Sequence, residues 1–175
     1  MKYGIFFLVF LIGCNFEPEE PRKPTKQEAA IAVRNRTAYQ LKVKNNLIPC
    51  GSGSQMMNQI EMLALAFHYF QPLDIDAARP LLLTAADKFL KEINEDEAIR
   101  PYLSNYPFEP KNIKILIFIY QSNHTRVPNG NLSVVNLEDG KIEYEINVPD
   151  DLLHTILEET YEDAVMKINH STSNH

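Results

Sequence analysis

The sequence predicts a two-layer α+β domain, in which a mainly antiparallel sheet of about five strands carries helices packed on one face. Two observations support this class. Segments with apolar residues at every second position occur beside segments with a helical repeat, and Glu138-Asp139-Gly140 joins two alternating runs, which is a strong hairpin signal. At 175 residues, 45% hydrophobic and 23% charged, the chain has the size and composition of one globular domain with a short extra segment.

The first part of the domain reads as helix, strand and strand. Thr25-x-x-Glu28 is a capping box ahead of an apolar run, which predicts a helix over 26–36. Alternation at Tyr39, Leu41 and Val43 predicts a strand, followed by a turn at 45–46. The run 60–70 fits a helical stripe as well as a strand, and its aromatic end and the stop at 71–72 favour a buried strand.

The middle of the chain predicts one long helix and an ordered loop. Asp74 is a suitable N-cap, and the apolar residues that follow are spaced as a helical stripe at Ile75, Ala78, Leu82, Ala85, Phe89 and Ile93. Because proline inside a helix costs about 3 kcal/mol, Pro80 predicts a kink or a start near Arg79. Residues 94–110 contain three prolines and three aromatic residues, which indicates an ordered loop.

The last third predicts three strands and a final helix. Residues 113–120 are apolar except for Lys114, so we expect a central strand covered on both faces. Strands follow near 131–137 and 141–148. Acidic residues after Pro149 suit a helix N-terminus, and the predicted buried stripe of this last helix comprises Leu153, Ile156, Leu157, Thr160, Ala164, Val165 and Ile168.

The start of the chain has the pattern of a targeting signal. Lys2 precedes eight apolar residues, Ile5 to Ile12, and these would extend only about 12 Å as a helix, too short to span a bilayer. A signal-peptide core of this length is usual. The run ends in Leu11-Ile12-Gly13-Cys14, and this tetrapeptide resembles the lipobox of bacterial lipoprotein precursors.

The resemblance covers the targeting segment only, and it implies a lipid anchor. The Cys14 thiol would receive a diacylglycerol, and cleavage between Gly13 and Cys14 would remove a signal peptide of residues 1–13. Residues 14–25 would then form a lipidated, proline-rich spacer, extended because Pro18, Pro21 and Pro24 match the polyproline II period. A single α+β domain is expected over 26–170, followed by a disordered tail over 171–175.

Cys50 and His68 are the candidate catalytic residues. Cys50 is the only thiol left once Cys14 is lipidated, and it lies in a glycine- and serine-rich stretch expected to be a flexible loop. A thiol nucleophile needs a base nearby, and His68 is a candidate among the aromatic residues of 67–70. The alternative is a loop cysteine without a catalytic task and a histidine bonded within the core.

No metal or cofactor site is predicted. His154, Glu158 and Glu162 recur at four-residue steps along the predicted last helix, so they would form one row facing water. A metal ion needs convergent ligands. A solvated acidic helix face is therefore the favoured interpretation.

Composition and motifs together favour a binding protein of the bacterial envelope. The net charge of −6 argues against nucleic-acid binding, and two cysteines are too few for a disulfide framework. We expect a lipid-anchored module in the bacterial cell membrane or outer membrane, with its domain outside the cytoplasm and a protein or small-molecule ligand. The alternatives are an anchored thiol-dependent enzyme using Cys50 with a histidine, and a secreted eukaryotic protein.

Overall fold

A computed structural model describes residues 22–172 as one six-stranded sheet with three α-helices, which confirms the α+β class. Neighbouring strands follow the chain order β1 to β6, and every pair is antiparallel except β2–β3. The elements are α1 (Lys26–Asn45), β1 (Ile48–Met56), β2 (Ile60–Tyr69), α2 (Ile75–Glu95), β3 (Ile113–Ile119), β4 (Leu132–Glu138), β5 (Lys141–Val148), β6 (Leu152–Thr160) and α3 (Tyr161–Thr172).

The core lies between one face of the sheet and the three helices. Side chains of β2 and β3 alternate across the sheet, so Leu63, Leu65 and Phe67 point into the core with Ile115 and Ile117 beside them. The buried residues of all three helices belong to the same apolar cluster. The helices therefore cover one face of the sheet, as predicted.

The first helix is longer than predicted, and the strand expected at 39–43 is wrong. The capping box is present, but α1 continues to Asn45 and ends on Asn46 in the left-handed conformation. Ala30, Val33, Thr37 and Leu41 are buried at helical spacing. Tyr39 and Val43 point to solvent, at 68% and 63% exposure, so their alternation with Leu41 is incidental.

The stretch around Cys50 forms a strand rather than the predicted flexible loop. β1 pairs antiparallel with β2, and Cys50 is the extra residue of a bulge between Pro49 and Gly51. Glycine and serine have low strand propensity, yet a Cβ at Gly51 would lie 3.4 Å from the Ala66 Cβ. Small residues on β1 therefore match small residues on β2. The run 60–70 is a strand, as favoured by its aromatic end.

Helix α2 starts at Ile75 and continues through Pro80, so the expected late start is wrong. The Asp74 carboxylate accepts from the Ala77 N–H at 2.8 Å, which fixes the first turn. The predicted stripe is buried at Ala78, Leu82, Ala85, Phe89 and Ile93. Burial of this stripe offsets the free-energy cost of the backbone hydrogen bond that Pro80 cannot donate.

The predicted final helix divides into a strand and a shorter helix. Residues 152–160 form the edge strand β6, and only the segment from Tyr161 is helical. Leu153 and Ile156, which the helical stripe predicted as buried, are 48% and 46% exposed. Pairing with β5 supplies the backbone hydrogen bonds of this segment, while Ala164 of the stripe is buried in α3.

The β3–β5 meander agrees with the sequence pattern in all but one respect. The strands and the hairpin turn are as predicted, with positive φ at Asp139 (49°) and Gly140 (74°). However, β3 is not covered on both faces, because Leu116 and Phe118 remain half-buried. α2 extends to Glu95, and residues 96–109 form the expected loop, with a short 3₁₀ turn at Arg100–Tyr102.

Two groups of predictions lie at or beyond the limits of the described residues. The signal peptide, Gly13, Cys14 and most of the spacer lie outside them, as do residues 173–175. α3 ends at Thr172, two residues past the predicted end of the domain. Within residues 22–172, no helix combines the length and apolar character needed to cross a membrane.

Candidate functional site

Cys50 and His68 lie on the neighbouring strands β1 and β2 but are not paired in the register. Cys50 is exposed at the bulge of β1, and Ile48, not Cys50, lies opposite His68 in the register. The contacts described for residues 22–172 include no hydrogen bond between the two side chains. Partial burial raises the pKa of the Cys50 thiol. A raised pKa lowers the thiolate fraction, which is the opposite of what an activated nucleophile needs.

His68 belongs instead to a group of rings at the carboxyl ends of β2 and β3. Its ring meets Tyr120 edge-on at 5.1 Å, and Phe70 and Phe118 at 5.9 and 6.0 Å. His124 stacks on Phe70 at 4.0 Å. We call these five residues the aromatic cluster. Edge-to-face and stacked contacts of this kind hold each ring in place, so the cluster is an ordered surface feature.

A shallow cleft of about 230 Å³ opens beside the aromatic cluster. Phe118, Tyr120 and Val134 supply apolar walls, and Ser133 and Asn147 lie at its polar side. The Ser133 hydroxyl donates to the Glu145 carbonyl at 3.1 Å, and the Asn147 amide donates to the Val127 carbonyl at 3.3 Å. Both polar groups therefore already serve the local structure.

The cleft and the cluster lie on the sheet face opposite the helices, which we call the helix-free face. Phe118 of β3 lies opposite Val134 of β4, and Leu116, two residues earlier on β3, lies opposite Ala66 of β2. These four residues form the apolar strip, which Ala64 continues along β2 to a position opposite Lys114. Leu116 and Phe118 are half-buried and Val134 is 5% exposed. Solvated sheet faces normally carry polar residues at such positions, so a partly exposed apolar strip on this face is unusual.

Charged side chains border the apolar strip on β3, β4, β5 and β6. Lys114 pairs with Glu138 at 2.6 Å, and Lys141 lies 3.4 Å from Glu158. Glu143 and Glu145 share a face of β5 and are half-buried. Neither has an ion-pair partner within residues 22–172. Burial raises the pKa of the Glu145 carboxyl, and repulsion from Glu143 raises it further.

The predicted acidic row on the last helix does not exist, because its members lie on different elements. His154 and Glu158 are on β6, and Glu162 is on α3. Within the described chain, no group of three or more His, Cys, Asp or Glu side chains has metal-binding geometry. Glu158 is about half exposed, with 52% of its side chain accessible.

Glu159, the residue after Glu158, is the centre of a buried polar network beneath the sheet. Its carboxylate, 3% exposed, accepts from Arg79 Nε at 2.7 Å, Tyr144 Oη at 2.6 Å and Lys167 Nζ at 2.5 Å. Burial pushes the pKa of Glu159 up, but the three hydrogen bonds outweigh it and the net pKa is lowered.

Sequence reasoning missed this network because the segment was read as helix. One signal was present: Arg79 is a charged residue beside the buried stripe of α2, and a buried cation requires an anionic partner. The network joins α2, β5, β6 and α3. Its donors and acceptors are paired with one another, so we assign it to stability rather than to ligand binding.

The chain matches no protein-family model, and neither a curated protein nor a solved structure shows significant similarity to it.

Proposed function

We propose that the chain is a lipid-anchored protein of the bacterial cell envelope, and that its domain is a binding module that uses the helix-free face. The apolar strip formed by Ala64, Ala66, Leu116, Phe118 and Val134 is the observation that supports this function. Large apolar patches on the exposed surfaces of monomeric proteins typically mark interaction sites. Here the strip lies on β2, β3 and β4, in the interior of the sheet.

The anchor would hold the domain by the end that is remote from the aromatic cluster. The Tyr102 hydroxyl donates to the Pro24 carbonyl at 2.7 Å, so the chain joins the domain at the start of α1. Lys26 at that start donates to the Met57 carbonyl at 2.5 Å, in the β1–β2 turn. β2 runs from this turn to the cluster, a distance of about 30 Å for ten residues. The aromatic cluster would therefore face away from the bilayer.

Lipidation is tested by metabolic labelling with an alkyne analogue of palmitate in a bacterial host. We expect label on the wild-type chain and its loss in Cys14→Ser, because the thioether requires that thiol. Cys50→Ser is the matched control and should keep its label. Equal labelling of wild type and Cys14→Ser would contradict the anchor.

The binding face is tested by photo-crosslinking in intact cells. A benzoylphenylalanine at position 116 lies on the apolar strip, and one at Tyr39 lies on the outer surface of α1, where the side chain is 68% exposed. We expect discrete higher-mass adducts from position 116 and none from position 39. Absence of adducts at 116, or the same adducts from both positions, would contradict a binding role for this face.

A further inference from the structure

The border of the helix-free face contains two carboxylates that lack a counter-charge. Glu143 and Glu145 are two residues apart on β5, so they point to the same side of the sheet. Glu143 also lies directly opposite Glu158 of β6. Like charges at opposed positions of antiparallel strands are destabilising, and half-burial of these carboxylates adds a desolvation cost.

Asn136 adds an unsatisfied polar group at the same place. It lies between Leu116 of β3 and Glu143 of β5 in the register. Its side-chain oxygen Oδ1 is buried and has no hydrogen-bond partner. Buried polar atoms in native proteins are nearly always paired. The apolar strip, the unpaired oxygen of Asn136 and the two carboxylates thus follow one another across the neighbouring strands β3, β4 and β5.

Charge excludes several occupants of this face. Four carboxylates, Glu138, Glu143, Glu145 and Glu158, stand against two lysines, Lys114 and Lys141, along the border. Two such faces would repel each other, which disfavours a second copy of this chain. The same excess disfavours an anionic lipid surface and nucleic acid.

Resting on the proposed binding function, we propose that the helix-free face binds a cationic amphipathic helix of another protein. Its apolar side chains would pack on Leu116 and Phe118, which are half-buried, and its Lys or Arg side chains would pair with Glu143 and Glu145. Strands lie about 4.8 Å apart, so β3 and β5 are separated by about 10 Å, which is the width of one helix. A single helix along the sheet therefore reaches both the strip and the carboxylates.

The probe is a fluorescent 18-residue peptide with Leu on one helical face and Lys on the other. It is titrated against the full chain in non-ionic detergent, with empty micelles as the blank. We expect saturable binding that weakens as salt is raised, because exposed charge pairs are screened. A peptide with Glu in place of Lys should bind at least tenfold more weakly.

Two double variants test which carboxylates of the domain bind the cationic peptide. The double variant Glu143→Gln/Glu145→Gln should weaken binding of the Leu/Lys peptide at least tenfold. The control, Glu95→Gln/Glu97→Gln, removes the same charge from exposed positions at the end of α2 and beyond it, and it should change affinity less than twofold. Equal effects of the two doubles, or equal affinity of the Lys and Glu peptides, would overturn the proposal.

Failure of this proposal is distinguishable from failure of the binding function itself. Adducts at position 116 in cells together with no saturable binding of the Leu/Lys peptide would retain the binding face and reject a cationic helix as its ligand. Absence of adducts at 116 would reject both, since the cationic helix is proposed as the natural occupant of that face.

Discussion

The burial and hydrogen bonding of Glu159 depend on the secondary-structure element on which it lies. On a helix it would have been one more solvated acid, whereas on β6 it receives three hydrogen bonds beneath the sheet. Removing one partner of a buried ion pair leaves the other charge uncompensated, which typically costs 3–5 kcal/mol. Its neighbour Glu158 is on the opposite side of the strand and is half exposed.

We therefore expect Glu159→Ala to lower the free energy of unfolding by about 3 kcal/mol, because Arg79 would stay buried without its carboxylate. Urea denaturation followed by circular dichroism measures this loss. Glu158→Ala, one residue away, is the control and should change stability by no more than about 0.5 kcal/mol. Equal losses in both variants would show that the network does not stabilise the fold.

Cys50 should behave as an unactivated thiol. Since partial burial raises its pKa, we expect iodoacetamide to alkylate it at pH 7.5 no faster than it alkylates a free cysteine peptide. Cys50→Ser should unfold at the same urea concentration as the wild type. Alkylation much faster than that of the peptide would instead favour a thiol-dependent enzyme.

Among the elements, those with a single dominant periodicity were predictable from sequence. α2, β3, β4 and β5 lie where the pattern places them, since burial and periodicity coincide in each. β1 was missed because Gly51 and Gly53 have little strand propensity. Their small size allows β1 to lie close to Ala66 and Ala64 of β2, which only the paired strands reveal. β6 was missed because residues 153, 156, 157 and 160 fit a helical stripe and only pairing with β5 decides between the two.

The candidate site was predictable only in part. The outward-facing row of Glu143 and Glu145 follows from the alternation of β5. The apolar strip does not, because the sequence indicates that β3 is buried on both faces and cannot show that the second face lacks a covering layer. The proximity of His68 to Tyr120 arises from the parallel β2–β3 pair, which local patterns do not encode.

The β4–β5 turn permits a prediction at the level of the hairpin. Asp139 and Gly140 both have positive φ, as a type I′ turn requires. Gly140→Ala should therefore destabilise the domain by about 1 kcal/mol, because an L side chain is strained at this φ. Lys141→Ala, the next position, is the control and should have a smaller effect. A shift in the thermal midpoint that is the same for both would contradict the turn assignment.

At the scale of the whole molecule, the pattern of carboxylate pKa values determines the response to acid. Hydrogen bonds to Arg22 and Thr25 lower the pKa of Glu28 to about 2. Burial opposes hydrogen bonding at Glu92 and Glu159, but salt-bridge partners lower the pKa of both. Burial and repulsion from Glu143 shift the pKa of Glu145 in the opposite direction, upward. The balance favours ionised carboxylates in the folded state.

Acid should therefore unfold the domain. A carboxyl whose folded pKa lies below its unfolded value of about 4.3 stabilises the fold above that pH, and this contribution is lost as pH falls through the folded pKa. Urea midpoints measured from pH 7 to pH 2 should decline below about pH 4, and less steeply in Glu159→Gln. Midpoints that are constant down to pH 2 would contradict the network's electrostatic role.

The one parallel strand pair has a consequence for how the chain folds. β1–β2 and β3 to β6 are each built from neighbouring segments, whereas Leu63 and Ile113, which pair across β2–β3, are 50 residues apart. Local pairings close small loops and form early, while distant pairings wait until the intervening chain is ordered. We expect the hairpin and the meander to form as separate units, with α2 as the hinge that brings them together. The apolar strip spans that junction, so the surface proposed for binding is completed only when folding is complete.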